Sequence, residues 1–244
     1  YAEKLGFDVI AVNEHHQTPY CMMPSPIVTA AALARRTKGK IAILGSAFCL
    51  RDHPLTLAEE HAMIDNITGG RLITGFVRGI GAEYSNFGVN PTYSQERHLE
   101  AHDLVVQAWT RSGPFAFEGK HYQLHEAHFT PRPVQQPRPT LIVGGSARAE
   151  RLPRLAGRYA DEYTITLPSI EQCQAIRGRL PEHVRLSVFT PICIAETEQQ
   201  VRERYDFLAQ TEPQYRRMMN AETAWIMGTP AQAAQQIAEL ERVG

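Results

Sequence analysis

Val9-Ile10-Ala11-Val12-Asn13, running straight into Glu14-His15-His16, is the stretch that decides the fold. A compact, β-branched apolar run that stops on a polar cluster reads as a buried strand with functional groups at its C-terminal end. The same punctuation recurs downstream. Ile41–Leu50 follows the stop signal Gly39, Leu72–Val77 closes on Arg78, and Thr140–Val143 runs into Gly144-Gly145-Ser146. Ala160–Thr166 and Leu186–Ala195 supply a fifth and a sixth strand.

Helical sequence separates the strands. Ser25 can cap and Pro26 fits the first turn of a helix over Ile27–Thr37. His53-Pro54 opens another, running to about Asn66 and stopped by Thr68-Gly69-Gly70. Gln95–Thr110, Ala147–Gly157 and a helix starting at Thr229-Pro230 continue the series. Strict alternation implies parallel strands with right-handed crossovers, which a doubly wound sheet and a (β/α)₈ barrel both satisfy. Outside it lie a long Gly-rich loop, Gly79–Tyr93, and a small hairpin around Glu118-Gly119-Lys120. A stiff Pro-rich connector spans Pro131–Pro139. No linker or repeat divides the chain, so 1–244 reads as a single domain.

With 25 basic and 26 acidic residues among 244, the formal charge is -1, which gives no electrostatic reason for a nucleic-acid or membrane partner. No apolar run is long enough for a transmembrane helix and no signal peptide opens the chain. Cys21, Cys49, Cys173 and Cys193 are far apart and form no CxxC pair, consistent with reduced thiols in a cytoplasmic protein.

In parallel α/β folds, catalytic groups gather where strands end. Those ends supply an acid/base group in Glu14-His15-His16, small residues in Ser46-Ala47, a phosphate-directed cation in Arg78, and helix-start amides at Gly144-Gly145-Ser146. Together they are a parts list for a flat, phosphorylated cofactor. Each also fits a structural role: a satisfied core histidine, an ordinary ion pair, a plain strand-to-helix turn. Gly75, Gly79 and Gly81 do not form a dinucleotide fingerprint, and neither a phosphate-binding GKS/T loop nor a nucleophile elbow is present. His98 and His102 stand four apart on a helix with Glu100 between them, but Glu100 points to another face, so no metal site is assigned.

At these strand ends the sequence resembles the bacterial luciferase-like monooxygenase family. The matching stretches, in the family's order, are Leu5–Asp8, Glu14-His15-His16, Gly45-Ser46-Ala47, His53-Pro54, Asp65–Leu72, Arg78-Gly79, Glu83-Tyr84 with Phe87-Gly88, and Thr229-Pro230. The resemblance implies a (β/α)₈ barrel rather than a doubly wound sheet. It implies reduced FMN delivered by a separate flavin reductase, O₂, and a small organic substrate. His15 matches the active-site histidine that assists proton movement at the flavin edge. Ala47 matches a position beside the isoalloxazine, Arg78 the FMN-phosphate arginine, and Gly145 and Ser146 the phosphate turn. Val77 replaces a reactive cysteine of luciferase itself, and Gly145 stands where luciferase has Glu. Arg158–Tyr163 resembles a related branch that transfers hydride with a deazaflavin, the leading alternative; a flavin-binding protein without turnover is the second. A homodimer is expected from the resemblance alone. The family barrel has a strand before Leu5–Asp8 and another after the last helix, so six of eight strands are expected here, with the first and last missing and the barrel truncated at both ends.

Overall fold

In the computed structural model, residues 1–17, 22–146, 149–211 and 225–243 are described. They fall into two units, Tyr1–Ile142 and Val143–Gly244. The first unit contains β1 (Val9–Val12), α1 (Pro26–Ala34), β2 (Lys40–Ala47), α2 (Pro54–Thr68), β3 (Leu72–Val77), α3 (Gly81–Asn86) and α4 (Ser94–Thr110). A hairpin of β4 (Phe115–Glu118) and β5 (Gln123–Ala127) follows, and then β6 (Thr140–Ser146), which runs on into the second unit. The second unit continues with α5 (Arg151–Tyr159), β7 (Glu162–Thr166), α6 (Ile170–Arg177), β8 (Arg185–Phe189) and β9 (Ile192–Ile194). It ends with α7 (Glu198–Thr211), β10 (Ile226–Gly228) and α8 (Pro230–Glu241).

In the first unit β1, β2 and β3 pair in parallel in that order. Alternate residues of β2 explain why its Ile41–Leu44 stretch is apolar throughout. Ile41 and Ile43 pack with Ala30, Ala34 and Ile64 of the flanking helices, while Ala42 packs on the other face with Ile73 and Ile142. A parallel strand covered on both faces has no solvent side to mark with polar residues. In the second unit β7 pairs in parallel with β8, and β9 pairs in parallel with β10.

Each of the six expected strands is present, with four corrections, and β10 is a further parallel strand that the sequence pattern did not predict. β2 stops at Ala47, and Phe48–Leu50 forms a 3₁₀ turn. The sixth strand is broken at Thr190-Pro191, where proline cannot donate to a ladder. The Gly79–Tyr93 loop contains α3 and a 3₁₀ turn at Pro91–Tyr93. β6 continues through Ser146, so Gly144-Gly145-Ser146 is strand rather than helix start; the helix expected at Ala147 begins at Arg151, and residues 147 and 148 lie outside the described residues. Among the described residues, no helix is long and apolar enough to cross a membrane.

The Asp65–Leu72 stretch has a structural job. Gly69 ends α2 in the left-handed region (φ 64°), and the Arg71 guanidinium donates to the carbonyls of Ala34, Thr37, Gly39 and Thr68. One side chain thereby satisfies carbonyls at the ends of two helices.

Behind β2 and β3 lies a buried aromatic cluster. Phe48 stacks on Phe76 at 4.1 Å, and His102 meets both edge-on. His61 sits between Thr74 Oγ1 and Ser46 Oγ (3.1 Å), while both His102 nitrogens lack a partner among the described residues. Burial pushes His61 and His98 down to about 3, and His102 well below its ordinary value of 6.5. The folded state holds these imidazoles neutral while the unfolded chain takes up protons below pH 6.5, so stability falls as pH drops from 6.5 towards 3. At pH 5, His61 and His98 should each cost about 2 kcal/mol relative to pH 7. Urea titrations at the two pH values should show that loss, and His102→Phe should reduce the pH dependence without lowering stability at pH 7.

Candidate active site

Two buried carboxylates organise the ends of β1 and β2. The Glu14 side chain is fully buried and clamped by Arg51, whose Nη1 and Nη2 reach Oε1 and Oε2 at 3.0 Å each. His16 Nε2 donates to Glu14 Oε1 at 2.8 Å, and the Ala47 amide donates to Oε2 at 3.4 Å. This ties the strand end of β1 to that of β2. Phe87 closes over the His16 ring edge-on at 4.9 Å.

Glu83, on α3, is the second carboxylate. Its Oε1 accepts the His16 amide and the His15 ring Nδ1, both at 3.1 Å, while Oε2 accepts the Ile80 amide at 2.8 Å. With both oxygens already accepting backbone N–H groups, Glu83 acts as an acceptor towards His15. Neutral His15 therefore carries its proton on Nδ1, which makes Nε2 the basic nitrogen. The His15 side chain is 17% exposed, whereas Glu83 is buried. Tyr84, the next residue of α3, donates its hydroxyl to the Arg78 carbonyl at 2.9 Å.

Three of the five residues singled out by sequence are thus brought together in the first unit. His15 is held through Glu83, Ala47 through Glu14, and Arg78 through Tyr84. The Arg78 side chain is exposed, and its guanidinium makes no hydrogen bond or ion pair with the described residues. Gly79 beside it has φ 110°, a conformation that L side chains rarely adopt, and a Cβ there would stand 3.3 Å from Glu83 Oε2. Gly145 and Ser146 lie in the second unit. A Cβ on Gly145 would stand 2.6 Å from Leu152 Cδ1 and 2.9 Å from the Tyr163 hydroxyl, so a larger residue here requires those side-chain ends to shift.

Sequence reasoning missed Glu14, Arg51 and Glu83 as the supports of this site, although it quoted Glu14 and Glu83 within motifs. The available signal was an acidic residue directly beside two histidines at a strand end. His98 and His102 sit in the core, and Glu100 turns away to the hairpin, as its helical offset requires. No group of three His, Cys, Asp or Glu placed to hold a metal occurs among the described residues. His121 is not the surface residue its hairpin position suggests; its side chain is only 14% exposed.

Two outcomes follow from this geometry. ¹⁵N NMR of the histidine rings should show His15 as the Nδ1–H tautomer in its neutral form, and Glu83→Gln should remove that bias. Gly145→Ala should cost about 1–3 kcal/mol in urea denaturation, with part recovered in the Gly145→Ala/Leu152→Ala double variant.

The family model for luciferase-like monooxygenases matches residues 1–244. An FMNH₂-dependent dimethylsulfone monooxygenase from Pseudomonas putida is 28% identical over 66% of this chain and 47% of its own length. An F420-dependent glucose-6-phosphate dehydrogenase from Kineococcus radiotolerans is 26% identical over 85% of this chain and 66% of its own. The chain spans about half the length, or less, of several curated relatives it matches. The crystal structure of the monooxygenase RslO1 from Streptomyces bottropensis superposes with a TM-score of 0.84 at 23% identity, covering 99% of this chain and 80% of that one. At that identity it establishes the fold, the α/β barrel class that the resemblance implied and the strand–helix alternation alone left open. The chain belongs to the luciferase-like monooxygenase family.

Proposed function

We propose that this chain forms one barrel domain of a flavin-dependent monooxygenase that uses reduced FMN and O₂ to oxygenate a small organic substrate. The observation that carries the reading is His15 fixed at the end of β1 by the buried Glu83 carboxylate, at 3.1 Å, in a member of this family. A separate flavin reductase would supply the reduced cofactor, and a homodimer is the expected assembly. The unpaired thiols of Cys49, Cys173 and Cys193 agree with a cytoplasmic location.

The residues present fit the group. Arg78 offers an exposed guanidinium with no partner among the described residues. Ala47, small and at the β2 end, is assigned to the flank of the isoalloxazine, and Gly145 and Ser146, on β6, are assigned to phosphate binding on the resemblance alone. When bound, reduced flavin supplies the electrons that activate O₂. The chain's own contribution is positional. Glu83 keeps the His15 proton on Nδ1, leaving Nε2 to accept or return a proton at the reacting edge. Glu14 accepts from the His16 ring, the Ala47 amide and Arg51, which fixes the ends of β1 and β2.

Deazaflavin-dependent hydride transfer is the second reading, favoured by the likeness to an F420-dependent enzyme over 85% of the chain. Supplying reduced FMN and, separately, reduced deazaflavin, while following O₂ uptake and substrate oxidation, separates the two. O₂ uptake coupled to oxygenation with FMN alone is expected; oxidation supported only by the deazaflavin would overturn it. His15→Ala should retain flavin binding and lose about 10²–10⁴-fold in turnover. Undiminished turnover would argue against the assigned role, and tight flavin binding with no oxidation at all would favour a binding protein without turnover.

A further inference from the structure

Beside the Glu14 cluster, wholly within the first unit, lies a cavity of about 480 Å³. It shares Arg51 and Phe87 with the candidate active site. Leu50, Phe87 and Val89 give it an apolar wall, and Arg97 from α4 brings a cation to it. That size suits a small organic molecule.

Arg97 is half-buried, and its polar contacts are all neutral. Nε donates to the Tyr122 hydroxyl at 3.2 Å, Nη2 donates to the Arg51 carbonyl at 3.5 Å, and the guanidinium lies 5.6 Å from the Tyr122 ring centroid. Burial pushes the Tyr122 phenol up, so it supplies no counter-charge. Nη1 makes no hydrogen bond to the described residues.

The two carboxylates nearest in sequence on α4 are engaged elsewhere. Glu100 is occupied by the hairpin turn, accepting the amides of Lys120 (3.0 Å), His121 (2.9 Å) and Tyr122 (2.7 Å). Gly119 leaves room for this, since a Cβ there would collide with the Glu100 carboxylate. Glu96 is taken by Lys120 Nζ at 2.7 Å and His121 Nε2 at 3.2 Å. Asp52 also lines the cavity, but it is exposed and forms no ion pair with Arg97. Arg51, the other cation at the wall, is neutralised by Glu14. A half-buried guanidinium facing a cavity without a carboxylate partner is poised for an oxyanion from outside the chain.

We propose that this cavity is the subsite for the carboxylate end of an organic substrate, with Arg97 receiving the charge and Leu50, Phe87 and Val89 packing the apolar body. The proposal rests on the monooxygenase reading for the fate of that substrate, but not for its binding.

The test titrates the flavin-free full chain with 4-phenylbutyrate and with its near-isosteric neutral analogue 4-phenylbutyramide, by calorimetry and by ¹H–¹⁵N NMR of the Arg97 Nε–H. The carboxylate should bind at least about tenfold more tightly, the difference a charge-assisted hydrogen bond supplies. Arg97→Met should abolish the preference, and Arg97→Lys, which keeps the charge without the fork, should retain part of it. Equal affinity of the two compounds for the wild-type chain would overturn the proposal whatever the variants do. Displacement of phenylbutyrate by FMN would overturn it too, by assigning the cavity to the cofactor's phosphate. If flavin-dependent O₂ uptake is never observed, the monooxygenase reading fails while the carboxylate preference stands. Oxygen uptake with no carboxylate preference gives the reverse.

Discussion

A carboxylate with no access to solvent must find its partners within the chain, and the Glu14 side chain is such a group. Leaving such a charge unpaired costs several kcal/mol, so the strand ends around it are held where the donors converge. Arg51 must come from the turn after β2, the Ala47 amide from the end of β2, and His16 from two residues along. Apolar packing holds β1 against β2, but it does not orient the ends. The buried charge does, because hydrogen bonds have direction and dispersion does not.

Glu83 repeats the device one layer out. It accepts from the backbone of its own helix start and from the segment after β1, so α3 is pinned over the β1 end by a single side chain. The same carboxylate selects the His15 tautomer. Fold and chemistry therefore draw on the same atoms: the group that places the helix also sets which imidazole nitrogen is basic. Tyr84, adjacent on α3, extends the arrangement to the Arg78 backbone.

The fold was legible because its strands are covered on both faces and its helices begin with local caps. Ser25 accepting the Val28 amide and His53 accepting the Leu55 amide through Nδ1 are events within three residues. The candidate site was legible only where it leaves a local pattern. His15 and Arg78 stand out because a polar residue ends an apolar run. Glu83 acts on His15 across 68 positions and Arg51 on Glu14 across 37, and no window along the chain records such pairs. Gly144-Gly145-Ser146 misled for the same reason. Glycine reads locally as a turn, yet Gly145 lies within β6, where a side chain would meet Leu152 and Tyr163. A steric demand from a neighbouring strand and a turn propensity produce the same letter.

The arginines show what separates support from recognition. Arg51 meets a buried carboxylate and Arg71 meets four carbonyls; both charges are spent on the fold. Arg78 and Arg97 reach no carboxylate among the described residues, and at Arg97 the neighbouring Glu96 and Glu100 of α4 are drawn off by the hairpin. All four sit near strand or helix ends and look alike in sequence. The difference is whether the chain itself supplies the anion. Where it does not, a cation that is half-buried against an apolar wall remains under-solvated until a ligand brings one.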